Sequence, residues 1–193
     1  MYFRTTYESP LGLLTLAACD GGESAGREAH GGEGETLVGL WTEGQKYHGD
    51  TLPKSTVEKD NLDIFARAKD WLDRYFVGKQ PAIDELPLAP TGSEFRQEVW
   101  RILCEIPYGK VTTYGQIAKE MVARAGKERM SSQAVGGAVG HNPISIIIPC
   151  HRVVGASGSL TGYSGGVAMK IQLLELEGTD MTGLFVPKKG TAL

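Results

Sequence analysis

Cysteine is scarce in this chain. Only Cys19, Cys104 and Cys150 occur in 193 residues, and no two of them form a Cys-x-x-Cys pair. An odd, widely spaced set argues against a disulfide framework or a cysteine-rich zinc site. His30 and His48 share no metal-like spacing with these cysteines, so no metal is expected. Long apolar runs are missing too: none approaches the roughly 18 residues that would suggest a membrane span. Leu16-Ala17-Ala18-Cys19 has the outline of a lipoprotein cleavage box, but Glu8, Pro10 and Gly12 interrupt the stretch before it and only Arg4 is basic. A signal peptide wants a basic start and a longer apolar centre, so these residues read as a strand and the protein as cytoplasmic. Positive charge is also lacking overall, with a net charge of −3.

That last shortage is local. Residues 1–90 carry nine Lys/Arg against fifteen Asp/Glu, a balance of −6. Residues 91–178 carry nine against seven, or +2, and the tail 179–193 has two against one, or +1. The mildly basic second half permits nucleic-acid contact without demanding it. The 41% hydrophobic and 22% charged residues are ordinary for a globular protein, and the length suits one large domain or two small ones.

Turn residues Ser9-Pro10-Leu11-Gly12 between Tyr2–Tyr7 and Leu13–Ala18 predict a β-hairpin. Residues 20–35 are rich in glycine and glutamate, which reads as a mobile loop, and Thr36–Trp41 resumes an apolar strand. Leu62, Phe65, Ala66, Lys69, Leu72 and Phe76 stand near helical spacing, and Gly78 ends that helix. Residues 79–92 hold three prolines and no strong periodicity, so they are read as the linker between an N-terminal domain (1–90) and a second domain (91–178). Ser93 then caps a helix whose Phe95, Val99, Ile102 and Ile106 form one buried stripe.

Short helices over Thr113–Val122 and Ser131–Gly140, joined by a charged turn, have the outline of a helix-turn-helix. The second is poor in bulk, with Ala134, Gly136, Gly137, Ala138 and Gly140. Such a surface suits close packing on another helix or close approach to a nucleic-acid backbone, and the pattern alone admits both. A closing helix spans Val167–Glu177, ended by Gly178.

The run Ile-Ile-Ile-Pro-Cys-His-Arg-Val-Val at 146–154 concentrates the chemistry. Ile144–Ile148 reads as a buried extended stretch, and Pro149 fixes the backbone before Cys150. A thiol becomes a strong nucleophile only as thiolate and needs a basic or cationic neighbour, such as His151 or Arg152. Successive side chains of an extended segment point to opposite faces, so His151 would reach Cys150 only through a water or a sharp turn. Glu175 and Glu177 are the nearest carboxylates able to orient such a histidine. A buried structural cysteine beside a helix-facing histidine is the competing reading of the same residues.

The longer pattern decides between them. Pro149-Cys150-His151-Arg152-Val153, with Asn142-Pro143 before it and Gly162-Tyr163-Ser164-Gly165-Gly166 after it, resembles the O(6)-alkylguanine-DNA alkyltransferases, also called methylated-DNA–protein-cysteine methyltransferases. The match runs from about Thr91 to Gly178 and includes Val111–Ala118 and Ala134-Val135-Gly136-Gly137.

The resemblance implies an α/β (α+β) fold, with a small ribonuclease H-like antiparallel-sheet domain followed by a mainly helical domain containing the helix-turn-helix. It implies DNA repair by direct, stoichiometric transfer of an alkyl group from O(6)-alkylguanine, and from O(4)-alkylthymine, to Cys150. His151 would take the thiol proton through a water, oriented by Glu177, and Tyr114 would donate a proton or hydrogen bond to the departing base. Val139, Val153, Tyr163 and Ser164 would form the base pocket, and Asn142 would tie the helix-turn-helix to the active-site strand. Gln133, Ala134, Gly136, Gly137 and Arg152 would meet DNA, the small-residue helix entering the minor groove while the base is flipped out. A monomer working without cofactor on double-stranded DNA is expected.

Many members of that family carry an intercalating arginine where this chain has Gln133, which lacks the charge and the planar stacking surface. Two other functions fit less of the pattern. A non-catalytic alkylated-DNA-binding protein that recruits repair factors would lack the cysteine. A papain-type hydrolase would want an oxyanion hole and a histidine remote in sequence.

Overall fold

The computed structural model describes residues 1–21, 34–126 and 128–188; most of the glycine- and glutamate-rich stretch 20–35 lies outside that set. The chain divides into two units, one of residues Met1–Thr91 with Pro143–Ile147, the other of Gly92–Asn142 with Ile148–Leu193.

In the first unit β1 (Tyr2–Ser9) and β2 (Gly12–Cys19) form the hairpin, registered from Tyr2 opposite Cys19 to Ser9 opposite Gly12. β3 (Thr36–Thr42) pairs antiparallel with β2, and the two-residue β4 (Val57–Glu58) joins β1 in parallel, giving the order β3-β2-β1-β4. α1 (Asp63–Phe76) buries Ile64, Phe65, Ala68, Trp71, Leu72 and Tyr75, the spacing of one helical face, and packs on β1, β2 and β3. The proline-rich stretch expected to be a linker is stitched to this sheet. Leu37 N–H donates to Pro87 O at 2.9 Å and Ala89 N–H to Leu37 O at 2.8 Å. Prolines, which cannot donate to a ladder, are tolerated in such an edge segment.

Residues 143–147 also belong to this unit. Leu40 N–H donates to Pro143 O (2.8 Å) and Ser145 N–H to Leu40 O (2.9 Å). The stretch Ile144–Ile148 is buried, as its composition suggests, but it is not extended. Ile146 has φ 70° and Ile147 N–H donates to Ser145 O at 2.8 Å, a γ-turn of the rare positive-φ kind. Pinning to Leu40 and burial of Ile146 hold a β-branched residue where it would not otherwise stay.

The second unit contains α2 (Glu94–Cys104), α3 (Tyr114–Ala125), α4 (Ser132–Gly140) and α5 (Val167–Leu176). α2 and α3 each pack on α4. Each of these three helices starts at a residue whose side chain accepts from the first turn: Ser93 from Arg96 N–H, Thr113 from Gln116 N–H, and Ser131 from Gln133 and Ala134 N–H. Trp100 lies outside the stripe read on α2, yet it is buried and its Nε1–H donates to Ala138 O at 2.9 Å. The small residues of α4 therefore serve close packing on their inner side. Short parallel strands β5 (Thr112–Thr113) and β6 (Val153–Val154) set the start of α3 beside the end of the Cys150 segment.

Candidate active site

Cys150, His151 and Arg152 form a single 3-10 turn. Just before it, Pro149 (φ −82°, ψ 62°) lies at the centre of an inverse γ-turn closed by Cys150 N–H donating to Ile148 O at 2.8 Å. The extended conformation expected here is thus replaced by a turn of about three residues per revolution, which removes the opposite-face objection to cooperation between neighbours. All three side chains are interior, with exposures of 3%, 0% and 6%.

Asn142, just after α4, holds this turn from the side. Its Nδ2 donates to Ile148 O at 2.8 Å and to Cys150 Sγ at 3.1 Å. Burial pushes the Cys150 thiol above its ordinary pKa; the Asn142 hydrogen bond, the Lys170 charge and the amides of Cys150 and His151 oppose that rise without cancelling it. The resting residue is therefore a thiol, shielded from stray electrophiles, and it must lose its proton when it reacts.

A proton acceptor stands beside it. His151 Nε2 lies 2.8 Å from Glu177 Oε1. Burial alone would raise the Glu177 pKa, but bonds from His151 and Arg152 hold its carboxyl well below the carboxylate range, so it stays ionised and can only accept. Nε2 therefore carries the hydrogen. Burial lowers the His151 pKa, so the ring is neutral and Nδ1 is left as a bare acceptor. Nδ1 is buried with no protein partner among the described residues.

Glu177 caps α5 and gathers the rest of the cluster. Arg152 Nε (2.8 Å) and Nη2 (2.9 Å) grip its two oxygens, Gly109 N–H donates to Oε2 at 3.2 Å, and Arg152 Nη1 donates to Ile106 O at 2.6 Å. The Arg152 guanidinium also faces the Tyr108 ring at 5.6 Å. Arg152 was expected at the DNA surface. It is buried with its donors committed to interior acceptors, which corrects that expectation: its role is to hold Glu177.

Tyr114, the first residue of α3, donates its hydroxyl to Thr161 O at 3.2 Å, and burial followed by the charge of Cys150 pushes its pKa up to about 12. Gly162 (φ 75°) passes so close that a Cβ there would strike the Tyr114 hydroxyl. Lys170 on α5 is fully buried, its Nζ donating to Val153 O (2.5 Å) and Thr161 O (2.8 Å). Burial brings its pKa down to about 8, against the opposing pull of Cys150.

Of the other residues singled out, Val139, Val153 and Tyr163 are buried and Ser164 is half-buried. Gln133, Ala134 and Gly137 are exposed on α4, and Gly136 lies against the Tyr114 ring. This geometry can take a proton from a buried thiol, shelter an apolar group and donate a hydrogen bond to a leaving group.

The 6-O-methylguanine DNA methyltransferase DNA-binding domain matches residues 94–179. A methylated-DNA–protein-cysteine methyltransferase of Mycolicibacterium paratuberculosis is 42% identical over 89% of this chain and 90% of its own length. The chain belongs to that family. A methyltransferase of the same name from Methanosarcina acetivorans is 42% identical over 93% of this chain and 99% of its own. The crystal structure of Mycobacterium tuberculosis OGT in complex with DNA superposes with a TM-score of 0.70, at 40% identity and 91% coverage of both chains.

Within this methyltransferase, two participants escaped the sequence reading. One is Lys170, which shares a helical face with Leu173, Leu174 and Glu177, all buried. Two charged residues on one apolar stripe are the signal that marks them as interior partners. The other is the direct bond from Asn142 to the thiol, for which spacing offers no signal. Between the two carboxylates considered, Glu177 is the partner and Glu175 is exposed.

Proposed function

We propose that this chain, a methylated-DNA–protein-cysteine methyltransferase by family, moves an alkyl group from O(6)-alkylguanine, and from O(4)-alkylthymine, to Cys150 once per molecule. The observation that carries this reading is the buried thiol standing one residue from a neutral histidine whose other nitrogen is committed to Glu177.

In this mechanism the Sγ proton passes through one water to His151 Nδ1. The sulfur electron pair attacks the alkyl carbon, an S–C bond forms, the C–O(6) bond breaks, and its pair stays on guanine. The base then takes up a proton and leaves neutral, so the thiol proton ends on guanine and the balance closes. A Tyr114 pKa near 12 suits a hydrogen-bond donor that keeps its own proton while charge develops on the base. S-alkylcysteine is not readily reversed, which makes the reaction single-turnover.

A base inside a duplex hides its O(6) substituent, so the nucleotide is flipped out. α4 presents exposed Gln133, Ala134 and Gly137 and carries no charged residue, which suits entry into a narrow minor groove. Val139, Val153, Tyr163 and Ser164 supply the pocket walls. We read the protein as a cytoplasmic monomer; its three cysteines are free, and among the described residues no helix is long and apolar enough to cross a membrane.

The test is incubation with a short duplex carrying O(6)-methylguanine, followed by intact-protein mass spectrometry. One methyl group gained on Cys150, and none in Cys150→Ala, is expected. Tight binding without mass gain would sink the transfer reading and favour a non-catalytic damage-binding protein.

A further inference from the structure

We propose that the Tyr163 hydroxyl is a third corner of the proton relay, holding together with His151 Nδ1 one water beside the Cys150 thiol. The inference rests on the alkyl-transfer reading above and gives Tyr163 a task beyond lining the pocket.

Two buried polar atoms, His151 Nδ1 beside the thiol and Tyr163 Oη, have no hydrogen-bond partner among the described residues. Their rings meet edge to face, with centroids 6.5 Å apart and planes at 88°. Each orphan is destabilising if left dry, whereas a single water that bonds to both satisfies the two at once. No direct bond joins either atom to Sγ, whose side-chain partner is Asn142. The charge of Cys150 nonetheless raises the Tyr163 pKa, so the two groups lie within electrostatic reach of one another.

The polarities are complementary. Nδ1 of the neutral ring can only accept, because the Nε2 hydrogen faces Glu177. Burial, and then the charge of Cys150, raise the Tyr163 pKa well above its ordinary value, so the phenol stays protonated and can donate. A water that gives one hydrogen to Nδ1 keeps two lone pairs, one for the Sγ–H and one for the Tyr163 O–H. After the proton has moved, the same water accepts from Nδ1–H and from Tyr163 and turns a hydrogen to the thiolate. Tyr163 thus keeps the water in place on both sides of the transfer. A wall alone needs no hydroxyl, and phenylalanine would line the pocket equally well.

Tyr163 is accordingly a positioning residue, and Tyr163→Phe isolates its hydroxyl. Single-turnover methyl transfer from an O(6)-methylguanine duplex is followed across pH for wild type and variant. The variant is expected to be slower by about fivefold at pH 7, with the acid limb of its profile displaced upward by about 0.7 pH unit. The two profiles converge at high pH, where the thiol ionises without help. Duplex affinity, measured in a Cys150→Ala background with and without Tyr163→Phe, stays within about twofold. Equal rates at pH 7, or a loss of the same size at every pH, would overturn the proposal while leaving alkyl transfer intact. Absence of methyl gain by the wild type would sink both.

Discussion

Between Ser132 and Gly140, α4 carries no charged side chain and leaves Gln133, Ala134 and Gly137 exposed. A few residues later, the turn Cys150–Arg152 is wholly buried and packed against an ionised Glu177 and a buried Lys170. The surface that would meet a polyanion is bare of charge, while the interior is dense with it. The difference fits what the proposed function asks of each region. A helix entering a narrow groove profits from small side chains, and phosphate contacts can come from its surroundings. A thiol that must stay protonated until it reacts needs a base, an orienting carboxylate and counter-charges held without freedom. In a low-dielectric interior that demands complete bonding.

The largest expected effect tests the interior. Glu177→Ala strands the Arg152 guanidinium and the His151 Nε2–H, and should lower the unfolding free energy in urea by roughly 3–5 kcal/mol. Acid should act in the same direction. The Glu177 carboxyl is depressed below its ordinary 4.5, so its stabilisation is full above that pH and is lost as pH falls through the depressed value. The His151 pKa is lowered from 6.5, so the unfolded state takes up a proton first and stability already declines below pH 6.5. A wild-type unfolding free energy that stays flat from pH 7 to pH 3 would contradict the whole cluster.

Lys170 comes next. With its pKa lowered from 10.5 to about 8, Lys170 binds more protons in the unfolded chain between those values, so its own contribution to stability should rise with pH there by on the order of 3 kcal/mol, against the opposite contribution of the buried thiols. Lys170→Met should abolish that rise; urea titrations at pH 8 and pH 10 that give the same difference for both proteins would show the ammonium is not desolvated.

Gly162→Ala probes the seam between the two regions. It places a Cβ against the Tyr114 hydroxyl at a left-handed backbone position, and should slow methyl transfer from bound duplex by about tenfold, mostly without loss of binding. An unchanged single-turnover rate would mean Tyr114 has no positional task.

The smallest effect concerns the bare surface. Gln133→Arg adds one cation to the exposed first turn of α4. It should tighten duplex binding a few-fold and steepen the salt dependence by about one counterion, so that repair at limiting DNA speeds up. Equal repair rates at low and high salt would mean that this position does not engage DNA.

Much of the site was legible in the residues. The cap read at Ser93 and the helix spans read from Thr113 and Ser131 match the observed starts within a residue, because capping and helical periodicity act over one or two turns of chain. The hairpin followed from Pro10-Leu11 between apolar strands for the same local reason. The motif around Cys150 pointed to the nucleophile, whereas the small residues of α4 admitted helix packing and nucleic-acid contact alike.

Only the tertiary structure could decide the rest. Ile144–Ile148 and Cys150–Arg152 read as extended because apolar runs after a proline favour that conformation locally. Bonds from Leu40 and Asn142, each remote along the chain or across a turn, bend them into γ- and 3-10 turns instead. Arg152 was set against DNA by the family resemblance, and it is turned inward because Glu177 and Ile106 O supply acceptors that no short window contains. The sequence by itself determined which residues could act and which helices would carry them. Whether the thiol is neutral, which nitrogen of His151 is bare and which cation stays hidden depended on burial and on partners far along the chain, because desolvation and hydrogen bonding are properties of the packed interior.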